Sequence, residues 1–189
     1  MADPNEDDIV VTQEHAVHFG FIINIFAKIE LQMMIAAAGL LDSDLGTAVI
    51  LMGDMNYRTK RQTLNHLNTT IGVEGNVDRR LTEILNDLDA MSSLRNSIAH
   101  STWTTAQRPG AIKPMQLNIR APVPKPLGHH HNEKSYTAVE LRAEAIKLNC
   151  IHGRFVDFLA ESGLQAKVAV KIEATKPRNS SSEGSPSAK

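Results

Sequence analysis

Arg95, Asn96 and His100 are the residues of this chain whose types and spacing suit chemistry. They sit in the stretch Leu94-Arg95-Asn96-Ser97-Ile98-Ala99-His100-Ser101-Thr102-Trp103, at the end of its clearest amphipathic segment. On a helix, Asn96 and His100 stand four residues apart and share a face. Arg95 lies about 100° round from Asn96, and its long stem can carry the guanidinium back toward the imidazole. A cation that keeps its proton and a ring that trades one near neutral pH make a pair suited to phosphates.

Spacing alone selects little, because Arg61 and His66 repeat it. That second copy has Gln62 in place of the asparagine and lacks both the small Ala99 and the following aromatic. The full string Arg95-Asn96-Ser97-Ile98-Ala99-His100 resembles the Arg-polar-three-residues-His signature of the HEPN superfamily (higher eukaryote and prokaryote nucleotide-binding), placed late in a helical bundle. Outside this string the agreement is in helix order and length. The resemblance implies metal-independent RNA cleavage, in which a ribose 2′-hydroxyl attacks the adjacent phosphate. By the same resemblance His100 moves the proton, Arg95 stabilises the phosphate charge, and Asn96 orients the ring or the phosphate. It further implies a homodimer in which the motif helices of two protomers face one another. A toxin or defence role, with an antitoxin protein as partner, belongs to the same expectation. Glu30, a partner for Arg95, and Ser101 are the supporting candidates. The competing reading is a dimeric interaction module without catalysis. There Asn96 and His100 cap the helix end and Arg95 pairs with Asp89 or Glu30.

Other chemistries find no footing. The chain has no phosphate-cradling glycine motif, no serine elbow and no His-Glu-x-x-His. His129-His130-His131 points alternately to opposite sides of an extended loop, so three ligands do not converge on one ion. No metal and no cofactor are expected. A lone Cys150, read as a small core residue, leaves no disulfide framework and favours a reducing, cytoplasmic setting. The acidic start Met1-Ala2-Asp3-Pro4-Asn5-Glu6-Asp7-Asp8 lacks the layout of a secretion signal. A formal charge of -1 draws in no nucleic acid overall. RNA contact therefore falls to local groups such as Arg58, Lys60 and Arg61, or Arg79 and Arg80, which otherwise read as solvated helix faces.

The elements that must position the motif follow from periodicity, and the expected fold is an all-α bundle of about five helices. An acidic arm over 1–11 precedes a domain over 12–163. Thr12 caps a first helix over 13–39, ended by Gly39, with Phe19, Ile22, Ile23, Phe26, Ile29, Met33, Ala36 and Ala37 inward. Lys28 and Glu30 interrupt its apolar run, so a membrane span is rejected. A second helix runs from Asp42 or Ser43 to about Met55, with Leu45, Val49, Met52 and Met55 inward. A polar third helix covers Asn56 to Thr70. The fourth starts at Asn76 or Val77 and carries Leu81, Ile84, Leu85, Leu88, Met91, Leu94 or Arg95, and Ile98 to the motif. Between 101 and 137 an insert holds a hairpin of Ser101–Thr105 with Met115–Arg120, then a proline-rich loop. A final helix spans 138–162, with Val139, Leu141 or Arg142, Ala145, Leu148, Ile151, Phe155, Phe158 and Leu159 inward and Gly163 beyond its end. Residues 164–189 read as a disordered tail by composition.

Overall fold

The computed structural model describes residues 10–71, 76–115, 117–118, 125–126 and 134–175. The protein is mostly helical with a small antiparallel sheet inserted before the penultimate helix. Its helices are α1 (Gln13–Leu40), α2 (Leu45–Met52), α3 (Tyr57–Ile71), α4 (Asn76–His100), α5 (Ala138–Glu161) and α6 (Leu164–Thr175).

The helix α1 is the hub, touching each of the other five and α5 most extensively. The Thr12 hydroxyl accepts the His15 N–H, and Glu14 lies in the first turn, so the start is capped and charge-matched. Ile22, Phe26, Ile29, Met33, Ala36 and Ala37 then form the buried stripe. Ile23 and Phe21, expected near or on that stripe, face outward at 36% and 54% exposure. By length and composition α1 is able to cross a membrane, and in this structure one of its faces holds the bundle together. Gly39 does not end the helix, which runs on to Leu40. It instead permits close approach, since a Cβ there would lie 2.8 Å from both Leu164 Cβ and Leu164 O.

That approach belongs to α6, which occupies part of the span expected to be a disordered tail. Leu164 and Val168 are buried against α1 and its neighbours, and Lys171 pairs with Asp42 at 3.1 Å. Val168, Val170 and Ile172 alternate instead of following helical spacing, which is a weak helical signal, and Val170 and Ile172 are exposed. Residues 1–9 of the acidic arm and 176–189 lie outside the described residues, as do His129, His130 and His131.

Helix α2 begins later than expected. Asp44 caps it by accepting from Thr47 N–H, while Asp42 sits in a turn with φ of 49°. Ala48 and Met52 face the core, but Val49 turns out to solvent and Ile50 is 86% exposed. In α5, the Thr137 and Glu140 side chains form a reciprocal capping box. Its inner face begins at Leu141, because Val139 is exposed in the first turn. Cys150 is exposed on α5 and is not a core residue.

The hairpin forms in a different register from the expected one. Strand β1 (Thr102–Thr105) pairs antiparallel with β2 (Ala111–Met115), and β2 pairs with β5 (Tyr136–Thr137). A separate ladder joins β3 (Leu117–Asn118) to β4 (Lys125–Pro126). The turn closes early: Gly110 takes φ of 67°, and Ala111 N–H donates to Arg108 O at 3.1 Å, so the return strand starts at Ala111 and not Met115. Pro114 is tolerated because β5 pairs only with Ala111 and Ile112, leaving the proline beyond that edge. Trp103 lies opposite Pro114 and meets the Phe19 ring at 4.7 Å and the Tyr136 ring at 6.3 Å. These contacts fix the hairpin to α1 directly after the motif.

Candidate functional site

Helix α4 places the motif by burying Leu81, Ile84, Leu85, Leu88, Met91 and Leu94, one stripe that holds its last turns against α1 and α5. Arg95 follows the last buried leucine, at the edge where the stripe meets solvent. Its side chain keeps 27% exposure, and Nη2 lies 3.7 Å from Glu30 Oε1. Nη1 donates to Asn96 Oδ1 at 3.3 Å. Nε is buried without a hydrogen-bond partner. His100 is the final residue of α4, exposed, and makes no hydrogen bond or ion pair among the described residues.

The structure thus brings Glu30, Arg95 and Asn96 together. Ser101 stays outside that contact; its N–H closes the helix end on Ser97 O at 3.0 Å. Asn96 reaches back to Arg95 and not forward to the imidazole.

A residue read as part of a basic surface turns out to be central. Lys60 is buried, with 6% side-chain exposure, and its ammonium lies 2.7 Å from Glu30 Oε2. The signal was present in the sequence: Tyr57, Lys60, Leu64 and Asn68 follow three-and-four spacing, and those four are the buried residues of α3. One carboxylate on α1 therefore serves two cations on two other helices, tightly on α3 and loosely on α4.

Around this trio the charges are matched. Arg61 Nε lies 3.4 Å from Asp89 Oδ1 but without hydrogen-bond alignment. Tyr57 is buried with its hydroxyl unpartnered, and burial pushes its pKa far above the ordinary phenol range. Asp89 and Glu30 push the same way and Arg61 opposes them. Tyr57 is thus held neutral, a donor and not a base.

The expected basic patches are largely neutralised. Arg79 pairs with Glu83 at 3.0 Å, and Arg80 pairs with Glu161 at 2.5 Å. Exposed pairs of this kind add little stability and leave little net field. Two cavities lie elsewhere. One of about 240 Å³ is lined by His15 and the 105–112 turn, and one of about 270 Å³ sits among α1, α2 and α3. Neither is lined by Arg95 or His100. Among the described residues no group of three His, Cys, Asp or Glu is placed to hold a metal.

No family model, no curated protein and no solved structure matches this chain.

Proposed function

We propose that this protein is a metal-independent endoribonuclease of the HEPN type, with Arg95 and His100 as its working pair. The observation that carries the reading is the state of His100: exposed, without a partner, and five residues after an arginine that is anchored but still open to solvent. A histidine serving only as a helix cap would spend its ring nitrogens on backbone carbonyls. Among the described residues this ring makes no such bond. In the reaction His100 takes the proton of a ribose 2′-hydroxyl as that oxygen attacks the adjacent phosphorus. The P–O5′ bond breaks, the departing 5′-oxygen takes a proton from water, and a 2′,3′-cyclic phosphate remains. Arg95 holds the charge that gathers on the non-bridging oxygens. Asn96, bonded to Nη1, keeps the guanidinium from folding away.

An exposed His100 needs a second wall to hold an RNA strand. A homodimer that sets two α4 ends face to face supplies one, and Val17, Phe21 and Leu31, each at least 45% exposed on α1, provide apolar area for such contact. A cytoplasmic toxin or defence role with an antitoxin partner accompanies this reading. The second reading, a dimeric interaction module without catalysis, draws on the contacts Arg95 makes to Glu30 and Asn96, which would serve a purely structural arginine equally well.

The test is incubation of the purified chain with mixed RNA in EDTA, beside Arg95→Ala and His100→Ala. A positioned acid–base group contributes about 10²- to 10⁴-fold in rate, so His100→Ala is expected to abolish visible cleavage. Equal degradation by all three proteins, or none by the wild type, sinks the ribonuclease.

A further inference from the structure

From the sharing of one carboxylate by two cations, we infer that Lys60 is a positioning residue that keeps Arg95 available to a phosphodiester. The inference rests on the ribonuclease reading and goes past it, because Lys60 lies outside the Arg95–His100 pair and acts on it through Glu30.

An arginine beside a single carboxylate normally docks in a fork, two parallel N–H···O bonds, and its charge is then spent. Glu30 and Arg95 do not adopt that geometry. Their closest approach is 3.7 Å, through one nitrogen and one oxygen, while Lys60 takes the other oxygen at 2.7 Å. Lys60 is nearly sealed at 6% side-chain exposure, so its pairing with Glu30 is little screened by water. The carboxylate is therefore satisfied from the α3 side before Arg95 reaches it. Summed over Glu30, Lys60 and Arg95 the charge is one positive, and the group with solvent access to express it is Arg95, at 27% exposure. Lys60 thus sets how much of the Glu30 charge Arg95 feels, while Asn96 bonds the guanidinium independently of the carboxylate.

Removing the ammonium reverses this. In Lys60→Met the carboxylate keeps Arg95 as its one cation, the fork closes, and the trio becomes neutral. Changing both residues, Lys60→Met with Glu30→Gln, removes the buried pair and frees the guanidinium again. Replacement of a buried ion pair by uncharged residues of similar volume is usually tolerated.

The experiment uses the full chain and a 2′-O-methyl RNA oligonucleotide, which lacks the attacking hydroxyl and so reports binding alone. Cleavage of the unmodified oligonucleotide is followed in parallel, and far-UV circular dichroism confirms folding. Lys60→Met is expected to bind about tenfold more weakly, the size of one lost charge-assisted hydrogen bond, and to cut correspondingly slowly. The double variant is expected to bind as the wild type does. A structural role for Lys60 alone predicts no such rescue. Should Lys60→Met fail to fold, the double variant decides by itself, since weak binding there overturns the inference. Wild-type binding by Lys60→Met, with binding lost in Arg95→Ala, overturns the inference and spares the ribonuclease. Wild-type binding and cleavage by Arg95→Ala overturns both.

Discussion

At the scale of single residues, burial decides which charges matter. Glu30 stands at 19% and Lys60 at 6% side-chain exposure, whereas Arg79 and Glu83 stand at 82% and 51%. Both are ion pairs by distance. Removing one member of the buried pair leaves an uncompensated charge inside the bundle, so Glu30→Ala is expected to cost about 3 kcal/mol. Arg79→Ala is expected to cost at most about 0.5 kcal/mol, the usual value of an exposed pair one helical turn apart. Urea unfolding of the two variants measures the contrast, and similar losses would show that Glu30 is effectively solvated. The same scale explains what was legible. Arg95, Asn96 and His100 are visible as types and spacing, and Glu30 as a carboxylate out of place in an apolar helix. Lys60 was hidden because Arg58 and Arg61 beside it suggest a surface patch, while its buried stripe is set by Tyr57, Leu64 and Asn68.

At the scale of elements, the link between the hairpin and α5 carries a pH dependence. Arg108 grips Glu140 through both guanidinium ends at 2.8 and 2.7 Å and also donates to Ser135 O. The Arg108 bonds, the Thr137 backbone N–H, and the guanidinium charge together lower the Glu140 pKa from 4.5 to about 2. The folded carboxyl thus releases its proton more readily than the unfolded one. Its contribution to stability is full above the ordinary glutamate range and is lost as pH falls from about 4.5 toward about 2. Glu140→Gln is therefore expected to flatten the acid limb of the thermal midpoint against pH, measured from pH 6 to pH 2 (a range on the order of that used for acid unfolding). An unchanged acid limb would show that other carboxylates set it. Among elements, the four long helices are legible to within a residue or two, because α1, α4 and α5 carry apolar stripes and the polar α3 lies between Asn56 and the breaker Gly72. The hairpin register was not, since Met115 to Arg120 alternates well while the turn at Gly110 imposes an earlier return. Helix α6 was missed because its closest contacts include Ala38 and Gly39 of α1 and Ala48 of α2, small residues that signal nothing alone.

At the scale of the whole molecule, α1 sets what every other helix does. It supplies the face on which α5 and α6 pack, the carboxylate that joins α3 to α4, and Phe19 for the hairpin. The bundle architecture follows from such stripes and was foreseeable from periodicity. Glu30 as a partner for Arg95 was read from the sequence, but the convergence of Lys60 from α3 on the same carboxylate was not, because it depends on helix rotation that pattern alone leaves open. Trp103 gives that convergence an optical consequence. The chain holds one tryptophan, three residues beyond His100 and 9% exposed between Phe19 and Tyr136. Its emission is a single-site reporter of hairpin seating, readable apart from helical ellipticity. Acidification through the Glu140 range is expected to red-shift that emission before the far-UV signal falls, and simultaneous changes would mean that sheet and bundle melt as one unit.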